Sequence, residues 1–230
     1  MKNQNVTLNR ALFQSKTFDS ASLGVLAAIH HRFATPGDYD VLVSSVGKVT
    51  HRTHVHVAKE DAPGQVALDL AALGRGEAGC SCGDAQQGTR VLAGGTVCFY
   101  AGMGTRAFTI AVNGRDEKGA HAVLDTGKEL AAGDVFSTTL VRPGLYRVGL
   151  RHAKSTLDLL VEMPDPKKKA EPQQDAQVVR VGKEGFDTNK ASMQVGQTIF
   201  FVLEHPCSVR AELVKPEHDD DELWGKKEKK

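Results

Sequence analysis

His54 and His56, with Glu60 four residues further on, form the spacing in this chain that comes nearest to a ligand set. On an extended segment, residues two apart point to the same face. Two neutral imidazoles and a carboxylate are the donors that a divalent transition metal takes, so His54, His56 and Glu60 are candidate ligands. The alternation of these histidines with Val55 and Val57 also describes an ordinary solvated strand face. A second candidate is Cys80-Ser81-Cys82, because two thiolates in a glycine-rich loop can hold a soft metal or form a redox pair. No further cysteine pair with zinc-ligand spacing accompanies it. Cys98 and Cys207 stand alone in apolar runs and read as small core residues.

Catalytic signatures are missing from the sequence. It has no Gly-x-Ser-x-Gly elbow, no His-Glu-x-x-His and no phosphate-binding loop. Gly94-Gly95 and Gly102-Met103-Gly104 open no helix of a βαβ unit, so they read as turn glycines and not as a dinucleotide fingerprint.

The elements that must carry these residues are strands. Period-two alternation broken by turn residues runs through Val41 to Val57, Val91 to Tyr100, Phe108 to Val112, Val135 to Val141, Tyr146 to Leu150, Leu157 to Met163, Val178 to Val181 and Ile199 to Leu203. Only Ser20 to Ile29 and Gln65 to Leu73 offer short helical alternatives. The expected class is all-β, with two antiparallel β-sandwich domains. Residues 61–87 read as a Gly-rich connecting loop, 164–175 as a Pro- and Lys-rich linker, and 215–230 as a charged tail that includes Trp224.

Two signatures recur. Pro36-Gly37-Asp38-Tyr39-Asp40-Val41 returns as Pro143-Gly144-Leu145-Tyr146-Arg147-Val148, and Ala93-Gly94-Gly95-Thr96-Val97-Cys98-Phe99 returns as Val195-Gly196-Gln197-Thr198-Ile199-Phe200-Phe201. Their order predicts a central sandwich over 88–163 and a discontinuous one formed by 1–60 with 176–214. In that arrangement the end segments shelter each other's apolar strands and open edges.

The stretch running from the Gly-x-Thr-Val-x-Phe strand through Gly133-Asp134-Val135-Phe136 to Pro143-Gly144-Leu145-Tyr146 and His152 resembles the cupredoxin family, whose sandwich is akin to the immunoglobulin type. The resemblance implies the sandwich but no blue-copper centre, because Leu150 and Val43 occupy the positions where the family has its cysteine. The His-x-His-x3-Glu of His54, His56 and Glu60 is similar to the first metal motif of cupins, which implies a divalent ion.

Bulk properties bound the function. Lys and Arg total 29 against 28 Asp and Glu, a net charge of +1 that gives no reason to expect nucleic acid or an anionic membrane as partner. No apolar run is long enough to span a bilayer, and Met1 to Arg10 lacks the apolar core of a secretory signal, which predicts a cytoplasmic protein. The functional expectation is a non-catalytic β protein with no cofactor, used for binding a protein partner or for self-assembly into a homo-oligomer. The alternative is a cupredoxin-like or cupin-like metal protein using His54, His56 and Glu60.

Overall fold

The computed structural model describes residues 12–13, 15–73, 88–116, 119–151, 153–164 and 176–217. Cys80, Cys82, His152, Trp224 and most of the 164–175 linker lie outside the described residues.

The chain is all-β, and it passes back and forth between one long sheet and two shorter ones. β1 (Thr17–Asp19) is followed by β2 (Ala27–Arg32) in the long sheet, and β3 (Gly37–Ser45) and β4 (Lys48–Ala58) then form a hairpin in the first outer sheet. β5 (Gln65–Asp69) returns to the long sheet and runs into the one-turn helix α1 (Leu70–Leu73); β6 (Thr89–Leu92) lies in the outer sheet and β7 (Thr96–Tyr100) in the long one. β8 (Thr109–Asp116) and β9 (Gly119–Asp125) complete the first outer sheet, in the order β6-β4-β3-β8-β9.

The same path is then walked again. β10 (Val135–Thr139) is in the long sheet, β11 (Gly144–Leu150) and β12 (Thr156–Glu162) are in the second outer sheet, and β13 (Gln177–Gly182) and β14 (Gly185–Phe186) are back in the long one. β15 (Lys190–Gln194), β16 (Thr198–Leu203) and β17 (Val209–Pro216) alternate outer, long, outer. The long sheet has the order β14-β13-β16-β10-β2-β7-β5, and the second outer sheet β1-β17-β11-β12-β15.

This alternation coils the chain. After β4 and β5 the next passage lays β6 parallel to β4 and β7 parallel to β5; the second pass repeats this with β15 beside β12 and β16 beside β13. The result is a β-solenoid of about four turns with three sheets, which corrects the expectation of two antiparallel β-sandwich domains and of a cupredoxin or immunoglobulin architecture. The physical reason is visible in the ladders. Alternation predicts strands but not their direction, and a tight coil makes parallel neighbours that a hairpin reading does not foresee.

The strands expected to form one central unit are divided. β6 and β8 join the hairpin β3–β4, whereas β11 and β12 join β17 and β15. At the ends of the chain, β1 pairs with β17, Phe18 standing opposite Ala211. Of the segments with a helical alternative, Ser20 to Ile29 holds isolated bridges and then β2, and Gln65 to Leu73 divides into β5 and α1.

The two recurring turns have one physical basis. Tyr39 donates its hydroxyl to the Thr35 carbonyl at 2.7 Å, and Tyr146 donates to the Arg142 carbonyl at 3.0 Å, so each ring ties the entrance of its strand to the preceding turn. Gly37 and Gly144 between them have φ of 151° and 142°, where a side chain is strained.

Core residues fall on one side of each sheet. Leu68, Phe99, Ile29, Phe136, Phe201 and Val179 form a continuous buried row across the long sheet. Val41, Val55, Val57, Ile110 and Val112 supply the inner face of the first outer sheet, and Val148, Leu157, Leu159, Val161 and Val209 that of the second. All of them belong to a single apolar cluster, so both outer sheets lie against the same face of the long sheet.

Candidate functional site

The expected metal ligands sit where the alternation placed them, yet they are engaged otherwise. His54 and His56 project from the solvent side of β4, while Val55 and Val57 are buried. Asp40 and Asp38 of β3 stand directly opposite them, and each imidazole Nδ1 meets a carboxylate: His54 with Asp40 at 2.9 Å and His56 with Asp38 at 2.7 Å. Arg115 of β8 donates to the second oxygen of Asp40 at 3.0 Å. Glu60 lies in the bend beyond β4 and is exposed. Among the described residues no three His, Cys, Asp or Glu side chains are grouped to hold a metal ion, so no metal site is found there, and His54 and His56 each face a carboxylate of β3. Exposed pairs of this kind contribute little to stability, because water and salt screen them.

A second polar cluster is fully enclosed. His31 follows Ile29 on the inner face of β2, and its Nδ1 donates to Asp134 Oδ1 at 2.6 Å, with both side chains almost completely buried. The other oxygen of Asp134 accepts the Ala131 amide at 2.8 Å, which anchors the carboxylate. His31 stacks edge-on against Phe33 at 4.8 Å, and its Nε2 has no hydrogen-bond partner among the described residues. An imidazole held on one nitrogen by a carboxylate is the geometry of a general base, but no hydroxyl or thiol is seated on the free nitrogen. Here the pair joins β2 to the approach of β10 across the middle of the long sheet.

A third cluster lies on the opposite face of that sheet. His30 Nε2 is 3.3 Å from Ser137 Oγ and 4.0 Å from Cys98 Sγ. Burial lowers the pKa of His30 and raises that of Cys98, so the thiol and the imidazole both stay neutral. A neutral thiol is a poor nucleophile, and the cluster therefore reads as polar packing on a half-buried surface.

That surface is the most extensive feature left over by the fold. Since the buried row of the long sheet faces both outer sheets, the alternate residues point away from them. They include Tyr100, His30, Val135, Val202 and Phe200, all half-buried, and Val178, which is 55% exposed. No described element packs over this face.

Neither the His31–Asp134 pair nor the open face was singled out by the sequence reading. Residues 31 and 134 are distant in the chain, and each looks like the polar end of a strand. The signal that was available is the position of His31 two residues after Ile29, which placed an imidazole on an apolar face. No helix among the described residues is long and apolar enough to cross a membrane. No known protein family matches the sequence, and neither a curated protein nor a solved structure is significantly similar to it.

Proposed function

We propose that this chain is a non-catalytic binding and assembly protein whose contact surface is the open face of the long sheet, and that the partner is a second copy packed back to back through the same face. The observation that carries this reading is the one-sidedness of the sheet: seven strands are covered on one side by two outer sheets and on the other by no described element. A half-apolar sheet face of this kind packs well against another at about 10 Å.

The area supports the pairing. Seven strands about 4.8 Å apart, each contributing roughly five residues of about 3.3 Å, present roughly 550 Å² per copy. Two such faces bury about 1,100 Å² together, near the lower end of specific interfaces. Val178, Phe200 and Val202 supply the apolar part, while His30 and Tyr100 supply polar groups for register.

Cys98 offers the test, because its thiol lies on this face whereas Cys207 is buried in the core. Labelling with a bulky maleimide, read for the Cys98 peptide by mass spectrometry, is expected to be slow in dilute protein, because the thiol is half-buried and neutral, and slower still in concentrated protein. Labelling of Cys98 at one rate over the whole concentration range contradicts the reading.

A further inference from the structure

The β3–β4 hairpin turns on a residue that its own geometry disfavours. Ser45 pairs with Lys48, so Val46 and Gly47 are the two central residues, and their φ angles are 51° and 72°. Two positive φ values are the condition of a type I′ turn, where Asn-Gly is the favoured pair and a β-branched side chain is an outlier. Packing gives nothing in return, because Val46 is 95% exposed. The fold is better served by Asn at this position, so any use of the Val46 side chain lies outside the fold.

Val46 has apolar company at this end of the molecule. Val49 of β4 is 50% exposed, and Met103, in the loop between β7 and β8, is 56% exposed. The ladders bring that loop to the turn, since Ser44 pairs with Thr109, the first residue of β8. Thr50, Met103 and Phe108 line one recess of about 590 Å³, in which Arg106 is the one charged residue among the described walls.

Charge around this tip is positive. Residues 41–59 and 101–115, which supply the turn and the loop, place Lys48, Arg52 and Arg106 beside it and contain no Asp or Glu. Three described anions flank them. Asp69 accepts the amides of Ala71 and Gly102, Asp125 pairs with Lys128 at 3.1 Å, and Glu129 is next in the chain. With Lys128 and Arg151, which donates to the Gly127 and Lys128 carbonyls, five cations stand against three anions. Asp19 and Arg210, opposite each other on β1 and β17, cancel. The whole-chain charge of +1 conceals this local excess.

We infer that this end docks on an anionic lipid surface, with Val46, Val49 and Met103 entering the headgroup layer and Lys48, Arg52 and Arg106 meeting the lipid anions. Apolar side chains that protrude from a turn and a loop suit a medium that parts around them, whereas a protein partner has to hold a matching pocket. Association of this kind scales with the apolar area inserted and with the attraction of nearby cations to the leaflet. A second copy on the same tip would bring like charges together. The tip belongs to the first outer sheet, and it stands or falls independently of the open face of the long sheet.

Co-sedimentation of the full chain with vesicles tests the inference, comparing equal parts of phosphatidylserine and phosphatidylcholine with phosphatidylcholine alone. The chain should partition onto the mixed vesicles and not onto the neutral ones, and salt should release it. Lys48→Gln with Arg106→Gln should weaken partitioning about thirtyfold. Val46→Asn should weaken it about fivefold while raising the melting temperature, because Asn suits the turn. Opposite signs for binding and stability separate a lipid contact from a structural role. A wild-type chain that does not partition onto the mixed vesicles overturns the inference and leaves the tip to a protein partner. Equal partitioning onto neutral vesicles, unchanged partitioning of Val46→Asn, or a lowered melting temperature of that variant overturns it too.

Discussion

Ile29 stands directly opposite Phe136 across the β2–β10 ladder, and the two are 107 residues apart, the interval that also separates Tyr39 from Tyr146 and Leu23 from Leu130. Equivalent residues of the two passes therefore meet each other at this one point, which marks a local two-fold relation between the halves of the molecule. The antiparallel β2–β10 pair is the seam. On one side of it lies the His31–Asp134 bond; the equivalent residues on the other side, Thr138 and Ala27, are also paired in register, with no charge. The halves are alike in path and different in chemistry.

At the seam, Phe136→Ala should cost about 3–5 kcal/mol, and Ile29→Val about 0.5–1.5 kcal/mol, since both side chains are completely buried. Because the residues face each other, a double-mutant cycle of Ile29→Ala and Phe136→Ala should show coupling, read from urea unfolding. Simple additivity would mean that the two halves do not bear on each other there.

The buried pair should be worth more broken than absent. Asp134→Ala leaves the His31 imidazole enclosed without its carboxylate and is expected to cost about 3 kcal/mol. The double change His31→Phe with Asp134→Leu removes both polar groups and should cost less than the single one. The comparison is made by chemical denaturation at neutral pH.

The recurring turns were legible in the sequence because Pro-Gly-x-Tyr carries its own mechanism, a strained glycine and a tyrosine hydroxyl returned to the backbone. Strand positions were legible for the same reason, since Val41, Val43, Val55 and Val57 alternate with polar residues. The frame of the repeat was not. Reading from Gly94-Gly95 through Pro143 joined the end of the first pass to the start of the second, and strand alternation holds nothing that separates β7–β8 from β10–β11. The pairing of β4 with β6 was hidden too, because direction and partner are set by the coil and not by local pattern. The histidines of β4 were placed on the correct face, but their partners Asp38 and Asp40 come from the neighbouring strand.

Gly144 and Gly37 separate two causes of glycine preference. At Gly144 an added Cβ would come within 2.5 Å of the Lys215 carbonyl, besides the positive φ, whereas at Gly37 the nearest atom is 4.0 Å away. Gly144→Ala should therefore destabilise well beyond Gly37→Ala, which carries only the backbone strain of about 1 kcal/mol or more. Melting temperatures of the two variants decide it.

Alkaline pH should destabilise the fold at two buried groups, Tyr146 of β11 and Cys207 beside Leu130. Burial, partly offset by the charge of Arg142, pushes Tyr146 up from 10.0 to about 12; burial, aided by Glu129, pushes Cys207 up from 9.0 to about 11. In both cases folding holds the proton. The stability is thus complete below the unfolded value and is lost as pH rises through the folded one, from about 9 to 11 for Cys207 and from about 10 to 12 for Tyr146. The urea midpoint should fall across this range, and Tyr146→Phe should flatten the upper part of the fall. A midpoint whose pH dependence is identical in Tyr146→Phe speaks against it.

The open face of the long sheet is tested most directly by sedimentation equilibrium of the wild-type chain and of Val178→Asp with Phe200→Asp. The account predicts a wild-type mass that rises with concentration to that of two chains, and a folded variant that stays at one. A wild-type chain that remains at the mass of one copy throughout, or a doubly charged variant that pairs as well as the wild type, contradicts it.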